Sequence, residues 1–557
     1  MKRKGIILTI ILIGLALGIW YATSTNQPIK IALPVQESVG YAPYQHKAPD
    51  LYSLWKDEAA SKSLQPAGLD TIVAQGDRNQ YSNNQLSFSM NIPAQWTIDH
   101  HQPTEYVRFF SEDFRIDVTY EDTTKAYSTP DKFLETTLAP IKEFEVKRET
   151  SQHNEFNVLV VDYKRPPISK SFDHFTTYTY LFAYNDKDVY TFQLKSREDV
   201  WSNRRGELLQ SFKTFAPVPY NPVDLNKDMQ SKPISNELVA ANRNYHMTVP
   251  KNSFVQGIYH KEFEKLTELE NETSTRFGSQ MIYKSIQNEF DPYIVQVLED
   301  GRIPIVSFLF ETPKNAKGTS PILSEIISGK YDKYFVNWAT NTKRVGGPIY
   351  FRIAGEMNGE WTIWNAVHNY NDPDLYKLAY RHIVDIFRHY NADNANFIWN
   401  PSGTNVPFVN WNHATMYFPG DSYVHVIGLS GYNFGKSQWS EWKTFDEVFG
   451  TLYYDYLRYF SGKPFIIGEY ASGESGGNKT EWIQNASSLL KSKYTNIKIA
   501  VWFNEKQGEE FNFPFTSSPE STQAIQKATT TEGVISHPIT KSTKEQIENK
   551  IRHQDKK

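Results

Sequence analysis

The chain has 557 residues, too long for one ordinary domain and enough for two or three with sizeable cores. Its 59 basic and 63 acidic side chains leave a net charge of −4, which argues against a nucleic-acid partner. The absence of cysteine excludes disulfides, thiolate catalysis, cysteine metal sites and a lipoprotein anchor.

The chain opens with MKRK, followed by an uncharged apolar run from Gly5 to Trp20. A basic flank before such a run is the pattern of an export segment. Its 16 residues fall just short of the about 17–25 that a membrane span needs. Residues 1–23 are therefore read as a signal peptide or membrane anchor. The uncleaved anchor is preferred, because no A-x-A-like site follows closely. The basic side stays inside, so the protein is expected to be extracellular or at the cell surface, touching a membrane only through this segment. Residues 24–80 mix Pro, Gln, Ser and charges with little periodicity and read as a linker with short ordered pieces.

From residue 81 to 217 the pattern changes. LSFSMNIP, YVRFFS, FRIDVTYE, FNVLVVDYK, FTTYTYLFAYN and DVYTFQLKS alternate apolar with polar residues, the mark of half-buried antiparallel strands. Asp131–Ile141 and Ser202–Phe212 are the predicted helices. This α+β accessory domain carries no acid pair and no metal-ligand spacing. It reads as an accessory or spacer module, with a glycan-binding module as the alternative. Its strand-rich pattern, ending in a helix and SFKTF, faintly resembles the PsbP-like fold.

Pro217, Pro219, Pro222 and Pro233 mark the next boundary. Between residues 235 and 525, short apolar runs alternate with amphipathic stretches, which predicts a parallel α/β sheet or barrel. The candidate strands are Phe254–Tyr259, Ser279–Tyr283, Ile303–Phe310, Pro348–Ala354, Asn396–Trp399, His425–Leu429, Pro464–Gly468 and Ile497–Phe503. Eight is the number that closes a (β/α)8 TIM barrel. Asp372-Pro373 is a cap with Pro at the first helical position, and Phe445–Phe460 repeats the apolar stripe of a packed helix. The tail, residues 526–557, is polar. No stretch calls for a partner helix, so a monomer is expected.

The chemistry gathers at strand ends. In GPIYFRIAGEMNGEWTIW a strand delivers Glu356 into a loop with Asn358, Trp361 and Trp364. Taken alone, this is a strand end with a solvated glutamate and core tryptophans. In PFIIGEYA, 113 residues on, a second strand ends in Glu469. C-terminal strand ends of a barrel converge on one face, so the two carboxylates meet across one pocket. A carboxylate pair with flat rings for sugar faces is the minimum machinery of a glycosidase. Glu474 and Glu505 are the nearest rival carboxylates. No HExxH, EF-hand, Walker A, GxSxG or dinucleotide fingerprint is present, and the histidines are scattered with no metal-ligand cluster. Neither a metal nor a cofactor is expected.

The string Arg352, Glu356, Met357, Asn358, Gly359, Trp361 and Trp364 resembles glycoside hydrolase family 26, the β-mannanases and related β-glycanases of clan A. The resemblance covers about residues 235–525. It implies a retaining endo-β-glycanase hydrolysing a polysaccharide, first of all β-mannan, with Glu356 as acid/base and Glu469 at the nucleophile position. It further implies substrate contacts by Arg352, Asn358, Trp361, Trp364, by Tyr432 near the nucleophile and by Trp502 as the floor under the reactive sugar. Gly355 departs from the histidine that the family usually has there. Two alternatives remain: a noncatalytic glycan-binding envelope protein, or a glycanase for mixed-linkage β-glucan or xylan.

Overall fold

The computed structural model describes residues 44–538, except 61–68, 103, 127–128, 170–171, 222, 224–236, 240–245, 312–320, 439, 461 and 509–510. The expected export segment lies outside the described residues. Among the described residues no helix is long and apolar enough to cross a membrane.

The segment read as a linker contains structure. Asp50 caps helix α1 (Leu51–Ala59), accepting from the Ser53 amide at 3.0 Å. Strands β1 (Asp70–Gln75), β2 (Arg78–Asn83) and β3 (Phe88–Pro93) then form an antiparallel meander, joined later by Ala216–Pro217. What misleads in the sequence is the polar face of each element. The helix buries only Leu51, Leu54, Trp55 and Glu58, and β1 is almost wholly exposed.

A seven-stranded antiparallel sheet follows. Its strands are β4 (Thr97–Asp99), β5 (Val107–Ser111), β6 (Phe114–Asp122), β7 (Glu145–His153), β8 (Phe156–Lys164), β9 (Thr177–Tyr184) and β10 (Asp188–Ser196). They run in the order β4-β5-β6-β10-β9-β8-β7. Successive side chains point to opposite faces, so the sheet feeds two cores. Phe109, Leu181 and Phe192 pack on one side with Phe212 of the helix Trp201–Phe212. Phe110, Tyr180 and Phe182 pack on the other, in a core continuous with that of the next unit.

That unit is the barrel. Its strands are β11 (Phe254–Tyr259), β12 (Ser279–Ser285), β13 (Ile303–Leu309), β14 (Ile349–Ile353), β15 (Ala395–Trp399), β16 (Val426–Asn433), β17 (Phe465–Ser472) and β18 (Ile497–Phe503). Each pairs in parallel with the next, and β11 pairs with both β12 and β18, which closes the ring. All eight agree with the sequence-derived strands to within a few residues. Outside them stand α2 (Asp332–Val345), α3 (Pro373–His389), α4 (Phe445–Phe460), α5 (Lys479–Ser492) and α6 (Pro519–Thr530). Beyond α6, Val534–Ile535 pairs with β11, so the barrel unit extends into what reads as a polar tail.

A buried ion network joins α1, the accessory sheet and α3. Asp374 on α3 meets Arg115 of β6 at 3.0 Å, Lys377 at 2.6 Å, the indole N–H of Trp55 at 3.1 Å, and Lys195 of β10. Glu58 of α1 meets Arg108 at 3.2 Å and Arg115 at 3.3 Å, and also Lys377. Burial opposes the charge on Asp374, but Arg115, Lys195 and Lys377 hold its carboxyl well below the usual range. The accessory domain is therefore docked by charges that cannot return to water without separating the units. Removing one charge from such a set leaves its partners buried and unpaired, which costs about 3–5 kcal/mol. Asp374→Asn should lose stability of that order, read from the midpoint of denaturant unfolding. An unchanged midpoint would contradict the network's role.

Candidate active site

At the mouth of the barrel the two strand-end glutamates sit on either side of a buried guanidinium. Arg352 on β14 is 2% exposed and ion-pairs with Glu469 at 2.7 Å. Its Nε donates to Asn400 Oδ1 at 3.0 Å and its Nη1 to Ser307 Oγ at 3.2 Å. A Cβ at Gly355 would lie 2.5 Å from the guanidinium carbon, so no side chain fits at 355 while Arg352 holds this position.

Glu356 follows immediately, in a backbone that L-residues rarely adopt. Ala354 has φ +44° and Glu356 has φ +59°. Such left-handed conformations cost about 1–3 kcal/mol and persist where the surroundings fix them. Here the Glu356 amide donates to the Asn400 carbonyl at 2.7 Å, and its carboxylate accepts from Trp361 Nε1 at 3.1 Å. Burial pushes Glu356 up to about 7, with a further push from the charge on Glu469 and an opposing pull from Arg352. At that value the group keeps a proton near neutrality and can give it away.

Glu469 is held differently. The β16–β17 ladder shifts register at Leu429/Ser430 and the β17–β18 ladder between Ile467 and Tyr470. Irregularities of this kind re-aim side chains at active sites. The Glu469 carboxylate accepts from Tyr283, Tyr432 and Arg352. Burial, then the charge of Glu469 beside them, raises both phenols well above their ordinary range, so both stay protonated donors. Three donors fix this carboxylate in one orientation at the mouth.

The glycosyl hydrolase family 26 model matches residues 321–452, a stretch that contains Arg352, Glu356 and Tyr432. This part of the chain is a glycoside hydrolase family 26 domain. Endoglucanase H of Acetivibrio thermocellus is 38% identical over 208 residues, which is 37% of this chain and 22% of that protein. A mannan endo-1,4-beta-mannosidase of Bacillus subtilis (strain 168) is 30% identical over 169 residues, covering 29% of this chain and 40% of that one. The chain thus spans less than half the length of either curated relative. Among solved structures, a Cellulomonas fimi endo-beta-1,4-mannanase double mutant is 16% identical with a TM-score of 0.41, over 53% of this chain and 74% of that one.

Within the family 26 domain, several expected contacts have other roles. Arg352 binds Glu469 rather than lying open to substrate. Asn358 is fully buried and staples the loop, donating to Ser402 O at 3.0 Å and Asn405 Oδ1 at 2.8 Å. Trp364 is 2% exposed and donates to Gly355 O at 2.9 Å, a strut beneath the loop. Trp361 remains partly open beside Glu356, with its ring over Gly359. Trp502 is not at the mouth. Its ring packs on Tyr470 at 5.2 Å and on Trp482 of α5 at 6.2 Å, between sheet and helices. Its neighbour Phe503 faces the site instead, against Tyr259 at 5.0 Å and Tyr432 at 5.9 Å. The rival carboxylates are engaged elsewhere: Glu474 with Lys479 at 3.1 Å and Glu505 with the Lys261 amide at 2.6 Å.

Tyr283 escapes the sequence reading. It ends one of the eight expected strands, and an aromatic at the C-terminal end of a barrel strand is the signal that finds it. The accessory domain also reaches this region. Asn410 donates to Tyr120 O at 2.6 Å and Trp411 to Thr137 at 3.2 Å, and Asn412 on the same loop donates to Asn358 O at 2.9 Å.

The crowding at Gly355 makes a prediction. Restoring the usual family residue with Gly355→His should displace Arg352 and lower kcat/KM by about tenfold or more, equivalent to about 1.4 kcal/mol. Steady-state kinetics on any accepted glycan reads this. Equal or higher activity would show that the guanidinium does not own the space.

Proposed function

We propose that this protein is a retaining endo-β-glycanase working by double displacement, with Glu356 as acid/base and Glu469 as nucleophile. The observation that carries the proposal is the asymmetry of the pair. One carboxyl is kept protonated near neutrality by burial and its partner's charge, and the other is gripped by three donors. Two neighbouring carboxyls in unlike surroundings are the usual basis for dividing acid from nucleophile. In the first step Glu469 attacks the anomeric carbon while Glu356 protonates the departing glycosidic oxygen. In the second, Glu356 takes a proton from water, which displaces Glu469 and retains the configuration. Tyr283, Tyr432 and Arg352 hold the nucleophile still, and Trp361, partly open beside Glu356, offers a ring face for sugar.

β-Mannan is the first substrate in this reading, on the family 26 domain and the mannan-named relative. A β-glucan backbone is the second. It is favoured by the higher identity to a protein named endoglucanase and by Gly355, which departs from the family pattern.

Reducing-sugar release from a panel of β-mannans and β-glucans decides the substrate, and binding without release would favour a noncatalytic role. Glu356→Gln should cut hydrolysis of unactivated glycans by about 10²–10⁴-fold. Aryl glycosides with good leaving groups should lose little in the first step, because their departure needs no proton. In the parent enzyme, kcat/KM on unactivated glycans should fall as pH rises through about 7, where Glu356 loses its proton. Equal losses on both substrate types would remove Glu356 from the acid role.

A further inference from the structure

Three ligand-type side chains meet on the outside of the barrel, although their places in the sequence predict no metal cluster. His46 lies on the segment before α1, Asp332 opens α2 and His382 sits on α3. Asp332 Oδ1 is 2.6 Å from His382 Nε2, and Asp332 Oδ2 is 3.6 Å from His46 Nδ1. One ligand atom from each falls within 4.8 Å of the other two. Both ring nitrogens of His46 are shut off from solvent and neither has a hydrogen-bond partner. Buried polar atoms in folded proteins are nearly always satisfied, so two unmet nitrogens, one of them facing a carboxylate, call for a reason.

Aromatic rings and bare backbone flank the group. Tyr44 sets its ring edge-on to His382 at 5.7 Å, and Phe172 of the accessory domain tilts against His46 at 5.8 Å. Gly329, with φ +84°, brings bare backbone against the group. A Cβ there would lie 2.9 Å from Asp332 Oδ2 and 3.0 Å from His46 Nδ1.

We propose that His46, Asp332 and His382 form a zinc-binding site that ties the segment leading into α1 to the outer helices of the barrel. Two imidazole nitrogens and one carboxylate oxygen are a ligand set that zinc accepts in tetrahedral geometry, with water or the second carboxylate oxygen in the fourth position. Bonds of about 2.0–2.1 Å at tetrahedral angles put donors about 3.3 Å apart. The His46–Asp332 separation already stands near that spacing, and the Asp332–His382 contact opens on binding. The ion joins elements remote in sequence, and its role is to fix the N-terminal approach rather than to take part in glycan cleavage.

Untagged full-length protein, freed of metal by a chelator, is titrated with Zn²⁺ in a calorimeter and with Co²⁺ by visible absorption. The expected result is one saturable zinc site with Kd of about 1 μM or tighter. It is accompanied by the intense bands of tetrahedral cobalt and a rise in Tm of at least about 2 °C. His46→Gln, outside the barrel core, and Asp332→Asn should each weaken binding by more than about tenfold. Glycan hydrolysis by the metal-free protein should persist. Absence of saturable binding, or binding undiminished in both variants, would overturn the site and leave His382 and Asp332 as a plain ion pair.

Discussion

The arrangement at the mouth depends on one buried cation. Arg352 pairs with Glu469 and acts electrostatically on Glu356, and the surrounding positions are cleared for it and for its partner Asn400. A Cβ at Gly355 would strike the guanidinium. One at Gly468 would meet Asn400 Oδ1 at 2.0 Å, and one at Gly428 would meet Asn400 Cβ at 2.4 Å. Three glycines, two on strands and one just past the end of β14, thus leave room for a single hydrogen-bonded pair. That pair then acts on the carboxylates unequally. Arg352 bonds Glu469 directly, whereas toward Glu356 its pull is outweighed by burial and by Glu469 itself. Two like acids are thus placed in unlike surroundings, because the guanidinium pairs with one of them and not with the other. The strained backbone at Ala354 and Glu356 belongs to the same design, since it turns the acid over the cation while its amide is held by the Asn400 carbonyl.

A second charged cluster, around Asp374, decides how the rest of the molecule sits. Buried ion pairs are weak evidence for stability, because desolvation offsets much of their attraction. They are stricter about geometry, since each partner left unmet is costly. Here the cluster fixes the accessory sheet and α1 against α3, and the same sheet grips the loop carrying Asn410, Trp411 and Asn412. Asn412 in turn holds the backbone of Asn358, two residues beyond the acid. The accessory domain is therefore linked by direct contacts to the loop that follows Glu356.

Much of this was legible in the sequence. The barrel strands are short apolar runs between breakers, and their ends carry Glu356 and Glu469 in a pattern that few structural constraints would produce. Trp502 shows where legibility stops. Strand residues alternate faces, so of the adjacent aromatics Trp502 and Phe503 one must face the mouth and one the helices, and composition does not say which. The register shifts on either side of β17 complicate the parity further. Asn358 looks like a sugar ligand because it follows Glu356 so closely, yet its amide is consumed by Ser402 and Asn405. Helix α1 hides in a polar stretch because its apolar face is four residues wide and is completed by another domain. His46, Asp332 and His382 are brought together only by tertiary packing, which no local spacing records.

The central claim is that Glu469 attacks the sugar while Glu356 handles the proton. Incubating the protein with activated 2-deoxy-2-fluoro glycosides of manno and gluco configuration, then digesting and sequencing by mass spectrometry, tests it most directly. The fluorine slows breakdown of a glycosyl-enzyme more than its formation when the leaving group is good, so the intermediate accumulates. The account predicts a stable label on Glu469 in the peptide around PFIIGEYA. A label on Glu356, Glu474 or Glu505, or turnover with inverted configuration and no label, would contradict it.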